Sequence, residues 1–243
     1  MHAEEYARMY ELEDHYWWFV ARRRLAIKLL KKEMKTERPR VLDLGCGTGV
    51  ISRDLAEWAN PVSLDMSELA LAFSKKRGLK ELVQARGEHL PVRTDSIDAI
   101  LALDIFEHIE DDRAAFREAY RVLKPGGVLV LSVPAFKALW GPHDIALMHF
   151  RRYTRPLMRS RLKQVGFAIK QLSYSVFFLF PVVVAVRIIE KRRTGEAKAS
   201  LPRVSRSFNK NLVKLQDIEA SLISGISLPW GSSVIAVAKK PSL

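Results

Sequence analysis

From residue 40 onward, short apolar runs alternate with longer stretches in which apolar residues recur at helical spacing. This is how a parallel sheet with helical connections is written in sequence. Arg40 to Leu44, Pro61 to Leu64, Glu81 to Gln84, Ile97 to Leu103 and Gly127 to Val133 predict five strands. Val50 to Ala59, Ser67 to Arg77 and Asp111 to Leu123 predict the helices between them. Gly78 stops the second helix, and the turn Lys124-Pro125-Gly126-Gly127 stops the third. Thr154 as N-cap and Pro156 just inside open a further helix that runs to Gly166, after which Phe167 to about Val176 reads as a sixth strand. Ser233 to Lys239 alternates and is β-branched enough for a seventh. The expected fold class is therefore α/β, a doubly wound, seven-stranded, mostly parallel sheet. Its core spans 40–176, an α-rich insertion occupies 177–230, and the last strand and tail fill 231–243.

Residues 1–39 read as an N-terminal helical cap. His15-Tyr16-Trp17-Trp18-Phe19 precedes Arg22-Arg23-Arg24 and a helical pattern through Leu25, Leu29 and Leu30. Aromatic clusters of this kind usually pack in a core, so the helix is expected on the sheet; a lid over a ligand is the second reading. At 243 residues the chain fits one large domain or one domain with an insertion. With 48% hydrophobic and 28% charged residues, wholesale disorder is excluded. The single Cys46 rules out an internal disulfide and a cysteine-based zinc cage, which favours a reducing compartment. Glu4, Glu5, Glu11, Glu13 and Asp14 stand where a signal peptide needs a basic start and an apolar run, so a cytoplasmic location is expected. Forty Lys and Arg against 27 Asp and Glu give a net charge of +13, which favours an anionic partner: nucleic acid, acidic lipid or acidic small molecule.

The segment Val41-Leu42-Asp43-Leu44-Gly45-Cys46-Gly47-Thr48-Gly49 is a buried strand running into a glycine turn and then a helix, the context in which a nucleotide-like ligand approaches bare backbone. Asp65 ends the next strand 20 residues after Gly45, where a carboxylate accepts hydrogen bonds from two ribose hydroxyls. Two details disfavour a dinucleotide: position 50 is Val where the fingerprint needs Gly or Ala, and the third glycine comes early, at Gly49. Asp43, two residues before the turn, would repel a pyrophosphate but suits the ammonium of an amino acid.

With these residues in place the chain resembles the class I S-adenosylmethionine (SAM)-dependent methyltransferases over roughly residues 40 to 170, in the manner of the type 11 and type 12 domains. Asp43 to Gly49 look like that family's first motif and Asp65 like its ribose-binding acid. Ala85-Arg86-Gly87-Glu88-His89-Leu90-Pro91, then Ile97-Asp98-Ala99-Ile100, resemble its third region and fourth strand. Arg121-Val122-Leu123-Lys124-Pro125-Gly126-Gly127 resembles the turn before the fifth. The resemblance implies a Rossmann-like sheet, SAM as cofactor, and cofactor contacts from Asp43, Gly45, Cys46, Gly47, Gly49, Asp65, Met66, Gly87, Glu88 and Asp104. One departure stands out. Many relatives carry an acid at the position of Arg86, where it holds the adenine amino group, and Arg cannot accept a hydrogen bond.

Ligand crevices in open α/β sheets lie at the carboxyl ends of the strands, so residues just after the fourth strand should face the reactive methyl group. Asp104-Ile105-Phe106-Glu107-His108 occupies that place, and it is not the Asn-Pro-Pro-aromatic tetrapeptide of relatives that methylate bases or amides. Asp104, Glu107 and His108, with His143 or His149 further on, are similar to the pattern by which some quinone-biosynthesis and RNA-end methyltransferases hold a divalent metal. The favoured expectation is no metal, with Glu107-His108 orienting the next helix. Trp140-Gly141-Pro142-His143-Asp144 and His149-Phe150-Arg151-Arg152-Tyr153-Thr154 follow the fifth strand. There His143 with Asp144 can serve as a base and its orienting partner and Arg151 and Arg152 can hold an anionic acceptor, a solvated basic loop being the equal alternative; His108, His143 and His149 are the candidate catalytic set.

The insertion opens with Ser175 to Val186, 12 residues without a charge, too short to cross a bilayer, which takes about 20. Positions 187 to 214 then carry nine basic residues against Glu190 and Glu196, a net of +7. An apolar segment beside a basic one suits an anionic membrane surface, the inner face of the membrane for a cytoplasmic protein; a dimer interface or a hydrophobic lid is the other reading. The expected activity is SAM-dependent methylation of a small-molecule or lipid-linked acceptor, most readily at oxygen. An RNA methyltransferase, a non-catalytic membrane adaptor and an NAD enzyme are the rivals.

Overall fold

The computed structural model describes residues 3–192, 202 and 204–242. Five strands, β1 (Arg40–Leu44), β2 (Asn60–Asp65), β3 (Leu82–Gln84), β4 (Ile97–Leu103) and β5 (Leu123–Pro134), pair in parallel. The last two, β6 (Ala168–Ser175) and β7 (Ser233–Lys239), form an antiparallel pair in which β7 lies between β5 and β6. The sheet order is β3-β2-β1-β4-β5-β7-β6, with the order reversing beside β1, so β1 and β4 flank the crevice. Strand β4 sits at the centre and buries every residue except Asp98, whose carboxylate is held by Lys124 at 2.7 Å and by the Arg40 amide at 2.8 Å.

One boundary differs from the sequence expectation. Lys124-Pro125-Gly126-Gly127 does not precede β5 but lies inside it, because Leu123 already pairs with Ile97 before the ladder resumes at Ala99 and Val128. The turn is an irregularity in the edge of a strand, with Gly126 at φ +82° supplying the left-handed step.

Helices cover both faces. On one, α5 (Asp112–Val122) and α7 (Arg155–Gln164) press Phe116, Ala119, Met158 and Leu162 onto the sheet, and the rings of Phe106 and Phe116 stack at 4.1 Å. On the other, α2 (Trp17–Glu33), α3 (Val50–Ala56) and α9 (Arg206–Ile223) bury Leu29, Leu30, Leu55 and Ile223 against Val41, Leu101 and Val130. A fully buried Leu contributes about 1.5–3 kcal/mol, so this face depends on residues before β1 as much as on the strands.

The insertion divides in two. Helix α9 belongs to the core layer: its Asn209 accepts the Trp17 amide at 2.8 Å and donates to the His15 carbonyl at 2.7 Å, capping α2, while Arg24 meets Asp217 and Lys28 meets Ser221 along the pair. Helix α8 (Phe180–Arg192) stays outside the core, with no buried residue among its described side chains. Arg193, Lys198 and Arg203, three of the basic positions noted above, lie outside the described residues. No helix among the described residues is long and apolar enough to cross a membrane.

Candidate active site

At the carboxyl end of β1 the chain turns through Gly45, Gly47 and Gly49, all at positive φ, before entering α3. Space as well as conformation demands glycine at two of them: a Cβ on Gly45 would meet the Ile105 side chain at 2.7 Å, and one on Gly49 would come within 3.0 Å of the Ser74 backbone, while at Gly47 it would meet only the movable Met9 methyl. The amides of Gly45 and Cys46 donate to the Leu64 carbonyl at 2.8 and 2.9 Å, tying the turn to β2. Asp65, at the end of β2, accepts from the Gly47 and Ser67 amides at 3.0 and 2.9 Å. Asp43 is buried within β1 and accepts from the Ser52 hydroxyl at 2.7 Å, which accepts in turn from Ser63. The Cys46 thiol is buried, and burial, with the charges of Asp43 and Asp65, pushes its pKa far up, so it serves as packing and not as a nucleophile.

The electrostatics ask for a cation. Burial pushes Asp43 up to about 7, and the negative charges of Asp65 and Glu13 add to the rise. Burial likewise raises Asp65 and Glu13. Three carboxylates around one glycine turn are relieved by a ligand that carries an ammonium or a sulfonium, and aggravated by a pyrophosphate. Glu13 is the contribution that sequence reading missed. It comes from the N-terminal segment, where it was counted only as an acid that disqualifies a signal peptide. Helix α1 (Ala3–Leu12) lies across the turn, Glu13 bonds Thr48 and meets Arg77 at 2.7 Å, and Asp14 pairs with Arg53 and Arg77. The spacing of Tyr6, Met9, Tyr10 and Glu13 along one helix face was the available signal. Helix α2 packs on the sheet, and α1 lies over the glycine turn.

Around the expected adenine site, a Cβ on Gly87 would strike the Ile109 Cδ1 at 2.7 Å, so a side chain there would have to displace that methyl. Glu88 is largely shielded and accepts from Arg86 at 3.2 Å, while the Arg86 side chain points to solvent. Met66, beside Asp65, exposes an apolar side chain at the crevice edge.

Beyond β4, Asp104 sits at φ +55° and its carboxylate is ion-paired with Arg22 of α2 and accepts from Ser132 at 3.3 Å. Arg22 was not expected at the site. Glu107 is fully buried, and neither of its oxygens has a hydrogen-bond partner among the described residues. Burial and the Asp104 charge hold its pKa well above the usual carboxylate range. The rings of His108 and His149 meet edge to face at 4.6 Å, with His143 at 6.4 Å from His149.

Two expectations for this loop need correcting. Asp144 orients His149, not the adjacent His143: its Oδ1 lies 2.9 Å from His149 Nδ1, because Asp144 caps α6 (Pro142–Ala146) through the Gly141 amide and so points back across the loop. Nor do Arg151 and Arg152 await an anionic acceptor. Arg152 is buried and grips both oxygens of Asp144 at 2.7 and 3.0 Å, and Arg151 pairs with Asp112 at 3.3 Å. Although burial opposes it, hydrogen bonds from His149 and Arg152 keep Asp144 ionised far below the usual range. Burial pushes His108 down to about 3, helped by the charge of His149, and His143 down to about 4, helped by Arg187 and His149.

Glu107, His108 and His149 bring a carboxylate oxygen and two ring nitrogens within 4.8 Å of one another. The donor set suits a divalent cation such as Mg, Mn or Zn, and the unpartnered Glu107 carboxylate fits one; Asp104, engaged by Arg22, is not part of the cluster.

A seven-stranded sheet ending in an antiparallel pair, with an acid-flanked glycine turn at its switch point, defines a nucleoside-binding α/β protein built for a cationic ligand. Residues 42–131 match the family described as a methyltransferase domain. An uncharacterised methyltransferase of Mycobacteroides abscessus is 27% identical over 202 residues, 77% of this chain and 74% of its own length. A ubiquinone biosynthesis O-methyltransferase of Xanthomonas oryzae is 35% identical over 100 residues, 38% of this chain and 42% of its own. Phosphoethanolamine N-methyltransferase 2 of Haemonchus contortus, solved in complex with SAM, shares the fold with a TM-score of 0.58 at 18% identity, covering 89% of this chain and 52% of that one. The chain is a SAM-dependent methyltransferase, and SAM is its cofactor.

Proposed function

We propose that the enzyme methylates an oxygen of a small-molecule or lipid-linked acceptor, with His149 taking the proton. The observation that carries this is the pairing of His149 Nδ1 with the buried carboxylate of Asp144, which fixes the tautomer with Nε2 free to accept. His108 and His143, held near 3 and 4, are poor proton acceptors at working pH. The acceptor oxygen attacks the methyl carbon, the carbon–sulfur bond breaks, and its electron pair neutralises the sulfonium, while the hydroxyl proton passes to His149. Alignment of oxygen, carbon and sulfur supplies most of the acceleration, up to about 7–11 kcal/mol in favourable systems. The relative named as an O-methyltransferase supports oxygen as the target.

A second reading adds a metal, because Glu107 is a buried carboxylate without a partner. Bound by Glu107, His108 and His149, a divalent cation would lower the pKa of an acceptor hydroxyl.

The test is transfer of labelled methyl groups from SAM into a lipid extract and an RNA pool. Label should enter the lipid fraction, and His149→Ala should lower kcat by about 10²–10⁴ with SAM binding unchanged. Label only in RNA replaces this reading with the RNA one. Loss of activity in a chelator, restored by added Mg or Mn, selects the metal-assisted form.

A further inference from the structure

Helix α8 carries its amphipathic pattern inside out. Its solvent-exposed residues are Pro181, Val182, Ala185, Val186, Ile188 and Ile189. At about 100° per residue they fill one continuous arc of about 160°, which carries no charge until Arg192 at the very end of the helix. Arg187 and Glu190 lie on the opposite side, half-buried beside Phe180, Val183 and Val184 and paired at 2.8 Å, so the charges and not the apolar residues are what the two sides exchange. A helix that packs on its own protein and faces water has these two sides the other way round. The apolar surface continues onto exposed Phe178 and onto Trp230, whose ring stacks on Phe177 at 5.1 Å.

We propose that this face lies in the interface of an anionic bilayer, with α8 parallel to the membrane plane. Length argues for lying in the surface: 13 residues of helix span about 20 Å, short of the roughly 30 Å hydrocarbon core. Charge argues for lipid over a second copy of the chain. The segment from 187 to 214 carries a net +7 in a chain of +13. Two such segments brought face to face repel each other, whereas each Lys or Arg near an anionic leaflet contributes about 1 kcal/mol of attraction. An exposed Trp beside an apolar helix suits the headgroup boundary.

The docking face also adjoins the loop after β5 that carries the candidate base. The Phe180 ring lies 5.9 Å from Phe136, and a Cβ on Gly141 would sit 4.0 Å from the Arg187 guanidinium. Gly141 opens the short helix that carries His143 and Asp144. A helix seated in the membrane would therefore hold the acceptor loop against the lipid surface. The proposal deepens the reading of a lipid-linked acceptor, yet membrane binding itself requires no methyl transfer.

The full chain is floated with phosphatidylcholine vesicles, with and without phosphatidylglycerol. Wild type should float with the anionic vesicles and stay behind with the neutral ones. The double variant Val182→Glu/Ile189→Glu alters two exposed positions, and SAM should stabilise it against heat as it does wild type. Its partition should fall at least about tenfold, the equivalent of about 1.4 kcal/mol. Wild type that fails to float, equal flotation on both vesicles, or a variant that floats as well as wild type each overturns the proposal. So does a dimer in light scattering that the variant dissociates, which assigns the face to a second copy. Failure of the methyltransferase reading shows separately, as absence of SAM stabilisation.

Discussion

Asp43 joins proton binding, stability and cofactor choice in one side chain. Its pKa of about 7 reflects burial first and the neighbouring acids Asp65 and Glu13 second. A carboxylate raised above its unfolded value of about 4 binds its proton more tightly in the native state, so the stability it contributes without cofactor is present below pH 4 and is lost as pH rises through about 7. A cationic cofactor needs the deprotonated form, so SAM affinity should rise across the upper part of that window. Asp43→Asn keeps an oxygen to accept from Ser52 while removing the charge. The variant should lose the pH dependence of SAM affinity and bind more weakly at about pH 8 by a charge-assisted hydrogen bond, about 1.5–3 kcal/mol. Without cofactor it should melt higher than wild type at the same pH. Calorimetric titration and melting curves across the window check both halves, and an unchanged affinity would remove Asp43 from the cofactor's partners.

The junction of β6 and α8 shows what joins an apolar helix to a sheet. Val176 sits at φ +61°, a conformation that a β-branched residue rarely adopts, where the chain leaves β6. Glu219 of α9 accepts the amides of Val176, Phe177 and Phe178 and is itself held by Gln216 at 3.3 Å. Glu219→Ala leaves these amides without their acceptor and should cost about 3–5 kcal/mol in urea unfolding, whereas Glu219→Gln, which keeps one carbonyl oxygen, should cost less. Equal stability of all three proteins would refute this role for Glu219. None of this was legible in the sequence, since Val176 and Glu219 are 43 residues apart and neither belongs to a periodic pattern. Elements whose signal is local were legible: β4 as an apolar run over Ile97–Leu103 broken only at Asp98, and β7 as an alternating one over Ser233–Lys239. The glycine turn and its two acids were equally local. The loop after β5 was not, because the cap at Gly141, not proximity in sequence, decides that Asp144 reaches His149. Arg22 reaches Asp104 across 82 residues, a pairing that composition cannot foretell.

At the scale of the whole molecule, the cofactor turn is closed by residues that precede the sheet in sequence. Helix α1 rests on α4 (Glu68–Lys76), where Tyr10 meets the Phe73 ring at 4.9 Å, and Arg77 lies 4.4 Å over the Tyr10 ring. Met9 seats against Gly47, and Glu13 adds its charge to those of Asp43 and Asp65. A cation in the crevice neutralises part of the charge that α1 brings with it, so cofactor binding and α1 docking should favour each other. Saturation at 1,000 times Kd adds about 4 kcal/mol to global stability, and part of that should appear locally as slowed hydrogen exchange over residues 3–14. Glu13→Ala removes the bonds to Thr48 and Arg77 and should speed exchange in α1 and weaken SAM binding, while the amides of β4 and β5 keep their protection. Exchange in α1 that ignores SAM would make this helix a fixed strut, with the cofactor entering past it.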